Sequence, residues 1–155
     1  MDGPRWLDDE EQAAWRRLAA VLLKLPAELE AQLQRDADMG QFEYWVLVVL
    51  SEAPDRALRL SQLAAQSNAS LSRLSHVVTR LEKRGWVTRQ PCPDDARATL
   101  AVLTDVGFER LVAAAPGHVE AVRHCVFDGL EPTDVRDLGR LCDAILDRID
   151  ARPQG

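Results

Sequence analysis

The sequence predicts a mainly α fold: a winged helix-turn-helix of about six helices plus a β-hairpin wing, dimerised through its N- and C-terminal helices. Three observations carry this. Two short helical segments meet at a tight turn, Asn68-Ala69. The second ends at Gly85 and is followed by two strand-like stretches, 86–89 and 99–103. Finally, long apolar stripes at spacings of three and four lie near both chain ends, a pattern that asks for a partner surface.

The elements follow in order. Asp8 is an N-cap by type, and Glu11 stands three residues on, the spacing of a capping box. Asp9, Glu10 and Glu11 suit the positive end of the helix dipole. Trp15, Leu18, Leu22, Leu25, Leu29 and Leu33 then recur on one face to about residue 35. Pro26 is expected to kink this helix, because it removes a donor and crowds the preceding turn. Met39-Gly40 ends it. Residues 41–53 are apolar almost all round, with Phe42, Tyr44, Trp45 and the run Val46 to Leu50, so this helix belongs at the centre. Ala53-Pro54-Asp55 stops it.

A third short strand is expected at 58–60, with Ser61 as the N-cap of a short helix over 62–67 and Ser70 as the cap of the next. On that second helix Leu74, Val78 and Leu81 share one side, flanked by Leu71 and Val77. Ser72, His76, Thr79 and Lys83 take the other, with Arg73, Ser75 and Arg80 at its margins. Only Glu82 brings a carboxylate near that face, whereas an ordinary solvated helix mixes both signs. Gly85 reads as the C-terminal cap. The segment 90–98 is too long for a two-residue turn, so the wing tip is expected to project as a loop. Thr104 caps a helix from about Asp105, which Pro116-Gly117 should break or bend. Pro132 opens the last helix, where Val135, Leu138, Leu141, Ile145 and Ile149 form the second stripe. Arg152, Pro153 and Gly155 read as a frayed tail.

With 155 residues, 46% of them hydrophobic and 28% charged, the chain reads as one globular domain. It divides into dimerisation helices (1–36 and 105–150) around a winged-helix lobe (41–104). No apolar run approaches the roughly 20 residues of a membrane span, and no signal-peptide arrangement opens the chain. Cys92, Cys125 and Cys142 are an odd number without CxxC spacing, which disfavours zinc and disulfide frameworks and suits a reducing cytoplasm. The net charge of −6 argues against nucleic acid until its distribution is read. Over 70–104, Arg73, Arg80, Lys83, Arg84, Arg89 and Arg97 outweigh Glu82, Asp94 and Asp95, a local net of +3. Screening over about 8–10 Å lets such a face act on an acidic body. An enzyme reading finds no Gly-rich phosphate loop, HExxH or GxSxG, and His76, His118 and His124 lack metal-ligand spacing. No cofactor or metal is expected.

The stretch SQLAAQSNASLSRLSHVVTRLEKRGWVTR, the wing DDARATLAVLT and the following LTDVGFERL resemble the MarR-type winged-helix regulators, more loosely over nearly the whole chain. Asp95-x-Arg97 with Leu103-Thr104 is the most specific piece. The family often has two consecutive arginines in the wing; here Ala96 replaces the first, which predicts a weaker wing contact. The resemblance implies a homodimer built from both chain ends. It also implies a transcriptional regulator, more often a repressor, that binds a pseudo-palindromic duplex and is released by a small aromatic or phenolic ligand.

Site residues follow. Ser72, Arg73, His76, Thr79 and Arg80 are the candidates for the major groove, with Lys83 and the amides capped by Ser70 for phosphates. Arg97 is the minor-groove candidate, with Asp95 expected to brace its guanidinium. The crevice that the resemblance implies for a ligand could be lined by Trp15, Tyr44 and Trp45, with His118 or Arg16 meeting an acidic group; beside this stands the plain reading of core aromatics and a surface histidine. Cys92, between two prolines and near Arg89, is expected to be exposed. One alternative is therefore a redox-sensing regulator, although an incidental cysteine fits as well. The other is a dimeric scaffold that binds a ligand or partner and no DNA. Expected partners are double-stranded DNA, a second copy and the small effector, with no membrane.

Overall fold

A computed structural model describes residues 3–151; the expected tail at Arg152, Pro153 and Gly155 lies outside the described residues. Among the described residues there are six α-helices and one three-stranded sheet. In order they are α1 (Asp9–Ala37), α2 (Gln41–Glu52), β1 (Ala57–Arg59), α3 (Leu60–Gln66), α4 (Leu71–Lys83), β2 (Val87–Cys92), β3 (Asp95–Leu103), α5 (Asp105–Val122) and α6 (Pro132–Asp150). The chain divides between His118 and Val119 into two compact units.

In the first unit, α1 opens with the expected capping box. The Glu11 N–H donates to Asp8 Oδ1 at 2.8 Å, and the Asp8 N–H donates to Glu11 Oε2 at 3.0 Å. The helix continues through Pro26 to Ala37 and stops at Asp38, whose left-handed φ of 51° ends the ladder. α2 starts where the Gly40 N–H donates to the Glu43 carboxylate at 2.8 Å. Its Val46, Leu47 and Leu50 are fully buried against Leu33, Leu63, Leu74, Val78, Leu81 and Val87. Each such side chain contributes about 1.5–3 kcal/mol by leaving water, which makes α2 the centre of the core.

α3 begins earlier than predicted. Arg59 is its N-cap residue, with its N–H donating to Gln62 Oε1 at 3.3 Å, so Ser61 lies inside the helix and does not cap it. The α3–α4 turn passes through Asn68 at φ 52°, a conformation asparagine tolerates. Ser70 caps α4 as expected, accepting from the Arg73 N–H at 3.1 Å. Gly85, at φ 73°, closes α4 in a Schellman motif: the Trp86 N–H donates to the Leu81 carbonyl and the Gly85 N–H to that of Glu82, both at 3.0 Å.

The sheet order is β1-β3-β2, all antiparallel. The wing departs from expectation. Its strands pair out to Cys92↔Asp95, leaving only Pro93 and Asp94 in the turn where a long loop was predicted. Pro91 is tolerated because β2 is an edge strand, where a missing donor breaks no central ladder. At the wing base, the Thr104 hydroxyl accepts from the Gly107 N–H at 3.0 Å and donates to the Gly85 carbonyl at 2.7 Å. This caps α5 and ties it to the end of α4. A Cβ on Gly107 would collide with the Trp86 carbonyl oxygen and crowd Leu103.

α5 runs through Pro116 without the expected break, to Val122, and one π-helical turn follows at Arg123–Phe127. Proline removes a single donor, and the alanines just before it, Ala113 to Ala115, favour the helix. In the second unit, Pro132 opens α6 and the Glu131 N–H donates to Asp134 Oδ2 at 2.9 Å. No described residue of α6 is buried: Val135, Leu138, Leu141, Ile145 and Ile149 are all exposed. The N-terminal half of α1 likewise exposes Trp15, Leu18, Val21, Leu22 and Leu23.

Candidate nucleic-acid interface

The outer face of α4 follows from its inner one. Leu74, Val77, Val78 and Leu81 are pinned in the core, which turns Ser72, Arg73, His76, Arg80 and Lys83 to solvent on one side. Ser70 stands at the helix start with its hydroxyl committed to the Arg73 amide. Arg73 lies over the Phe42 ring, its guanidinium carbon 4.2 Å from the centroid, a cation–π contact that rests the charged end of the side chain against α2. Arg80 reaches Glu43, with Nε 3.3 Å from Oε1. Glu43 is only 7% exposed and also meets Arg84 at 3.6 Å, while Arg84 pairs with Asp38 at 2.7 Å and stacks on Trp86. A buried carboxylate therefore ties α2 to the C-terminal half of α4.

Thr79 sits apart from the residues it was grouped with. It is half-buried; its hydroxyl donates to the Ser75 carbonyl at 2.9 Å and accepts from Arg89 Nη2 at 3.1 Å, so its proton is committed within the protein. At the wing tip Arg97 is exposed, and among the described residues its guanidinium has no ion-pair partner. Asp95 does not brace that guanidinium as expected. Its Oδ1 accepts instead from the Arg97 backbone N–H at 3.0 Å, an Asx-type contact that shapes the turn and leaves the side chain free.

Cys92 is not exposed as expected. Its thiol is buried, at 6% exposure, because a register irregularity between Pro91 and Cys92 resets the in-and-out alternation and turns it inward. Arg89, expected beside it, is spent on Ser75, Thr79 and Glu82. Cys125 and Cys142 are exposed in the chain and lie outside its core.

A second feature adjoins α4. A cleft of about 500 Å³ is lined by Pro26, Glu30, Phe42, Tyr44, Trp45, Arg73 and His118. The structure brings together Tyr44, Trp45 and His118 of the four residues expected there. Trp15 does not line it and stands 54% exposed on α1, and Arg16 is also outside its lining. The Tyr44 and His118 rings approach to 4.3 Å, and His118 Nδ1 lies 3.1 Å from Gln32 Oε1. Burial disfavours charge on both rings, pushing the Tyr44 pKa up and the His118 pKa down. Phe42, Glu43 and Arg89 were not singled out as site residues from the sequence. Glu43 carried a signal, since a carboxylate set within the apolar stretch Phe42 to Leu50 needs a partner.

Among the described residues, no helix is long and apolar enough to cross a membrane. Residues 41–99 match the MarR family model. Sco3205 of Streptomyces coelicolor, a MarR family transcriptional regulator solved in complex with DNA, is 46% identical; the similarity covers 99% of this chain and 95% of that one, with a TM-score of 0.93. AbsC, a MarR family regulator from the same organism, is 38% identical over 96% of this chain and 100% of its own, with a TM-score of 0.91. The transcriptional repressor MprA of Escherichia coli (strain K12) is 25% identical over 111 residues, 72% of this chain; the match spans 62% of that repressor's length. The chain belongs to the MarR family. These relatives are regulators of transcription by name, not enzymes.

Proposed function

We propose that the chain is a sequence-specific transcriptional repressor that works in the cytoplasm as a homodimer on a pseudo-palindromic duplex. The observation that carries this is the outer face of α4: Ser72, Arg73, His76, Arg80 and Lys83 stand exposed on a helix whose other side is core. A helix so dressed suits the major groove, where arginine reads guanine edges and hydroxyls and cations meet phosphates. The Ser70 end offers amides to a phosphate, and Arg97 reaches toward the adjoining minor groove. Thr79 belongs to the helix's mounting, with any base contact limited to its remaining lone pair.

The lobe 41–104 binds DNA, while 1–36 and 105–150 supply the exposed stripes that a second copy covers, placing two recognition helices about one helical turn of DNA apart. We further propose that the cleft beside α4 takes a small aromatic or phenolic ligand between Tyr44, Trp45 and His118. Such a ligand releases DNA only by binding the DNA-incompetent state more tightly. The test is substitution. Arg73→Ala should weaken specific binding more than non-specific binding, and Arg97→Ala should weaken binding about tenfold with the dimer intact. Equal losses for Arg73→Ala, or none for Arg97→Ala, would remove those assignments.

A further inference from the structure

We propose that Arg89 is a positioning residue whose guanidinium locks the wing to the recognition helix, so that α4 and Arg97 engage one duplex together. This rests on the DNA-binding reading above. Arg89 sits on β2 opposite Ala101, on the strand face shared with buried Val87, and so points at α4. Its Nη2 lies 3.0 Å from the Ser75 carbonyl, 3.2 Å from the Ser75 hydroxyl and 3.1 Å from the Thr79 hydroxyl. Its Nη1 lies 3.5 Å from Glu82. One side chain thus spans two turns of the recognition helix.

Nothing else holds the outer wing in this way. Among the described residues, the side chains of 90–103 form no hydrogen bond or ion pair to any other element; the contacts at Gln90 and Asp95 stay within the hairpin. Residues 93–97 are all exposed. From the Arg89↔Ala101 pair to the outermost pair, Cys92↔Asp95, is three residues along β2, roughly 10 Å at about 3.4 Å each. A tilt of about 10° at the clamp therefore moves the tip by roughly 2 Å, enough to break a hydrogen bond to a groove edge. The fork geometry is specific to arginine, because a lysine ammonium is a single, strongly hydrated point that cannot reach all four acceptors. The contacts also explain why Thr79 and Ser75 are hydroxyl residues on the wing side of α4: they receive the clamp.

The test pairs two measurements on the full-length protein, using Arg89→Lys and the near-isosteric Thr79→Val. Hydrogen exchange without DNA should show wing amides at 90–99 exchanging several-fold faster in Arg89→Lys, with α4 core amides unchanged, and a smaller change of the same kind in Thr79→Val. Binding is then measured to the tightest duplex recovered from a random-sequence pool. Arg97→Ala should cost about tenfold in the wild-type background and less than about twofold in Arg89→Lys, a non-additivity that a merely structural residue would not produce. Unchanged wing exchange, or an equal Arg97→Ala penalty in both backgrounds, overturns the proposal. A wild type that recovers no duplex overturns the DNA-binding reading instead, and the exchange comparison still decides the clamp.

Discussion

Replacing Glu43 tests whether a buried carboxylate holds the recognition helix on the core. Glu43 accepts from the Gly40 N–H at 2.8 Å and faces Arg80 at 3.3 Å and Arg84 at 3.6 Å. In Glu43→Gln the amide oxygen still accepts from Gly40, so the loss is confined to the charge and to the acceptor that faces Arg80. The Arg80 side chain is 62% exposed, and its pair contributes about 0–1 kcal/mol after screening. Arg84 is less exposed but retains Asp38 at 2.7 Å and its stack on Trp86, so losing charge assistance there costs about 1 kcal/mol. The total is about 1–2 kcal/mol, or a few degrees in Tm for a chain of this size. Glu43→Ala also orphans the Gly40 N–H at the start of α2 and adds about 1 kcal/mol. The assay is urea unfolding at one fixed protomer concentration, which keeps any association constant. Glu43→Gln should unfold earlier and Glu43→Ala earlier still, with unchanged m-values. Two variants as stable as wild type, or two equally damaged, would refute the graded account.

Other perturbations have equally definite outcomes. Gly107→Ala places a methyl group against the Trp86 carbonyl and Leu103; it should cost about 1–3 kcal/mol by overpacking, read from the same urea midpoints. Light scattering of the wild type should give twice the 17.3 kDa chain mass, and Leu141→Glu with Ile145→Glu should return it to a single chain. A wild type at 17.3 kDa would end the dimer proposal. The lowered pKa of His118 means the unfolded chain takes up its proton first as pH falls below about 6.5. That contribution to stability should thus be full above 6.5, decline as pH drops to the folded-state pKa and level off below it, and be missing from the pH profile of His118→Asn.

Much of the fold was legible because local chemistry and core pattern agreed. The Asp8–Glu11 box, the Ser70 and Thr104 caps and the Gly85 stop are short-range devices, read from residue type and spacing. The apolar run of α2 identified the centre without any partner being known. What escaped depended on contacts between distant segments. The wing tip looked like a loop because two prolines and two aspartates mark turns, yet edge position let Pro91 stay in a strand. Cys92 looked exposed for the same reason, and a register shift of three residues on the facing strand hid it. The α4 face was drawn from helical angle alone, which cannot separate Thr79 from its neighbours; only the arrival of Arg89 across the fold does so. Likewise Asp95 and Arg97 stood at the right spacing for a pair, but the Asp95 carboxylate took the Arg97 backbone amide instead.

The central claim is that the outer face of α4 binds specific DNA, and the most direct measurement is a titration of purified protein into duplex from upstream of its own gene. It is run against random competitor at two salt concentrations, with duplex recovered from a whole-genome pool alongside. The account predicts tight binding that survives competitor and falls steeply as salt rises, since phosphate contacts release counterions. Binding that competitor abolishes at both salts, on the upstream fragment and on every duplex in the pool, would contradict it and leave the winged helix as a scaffold.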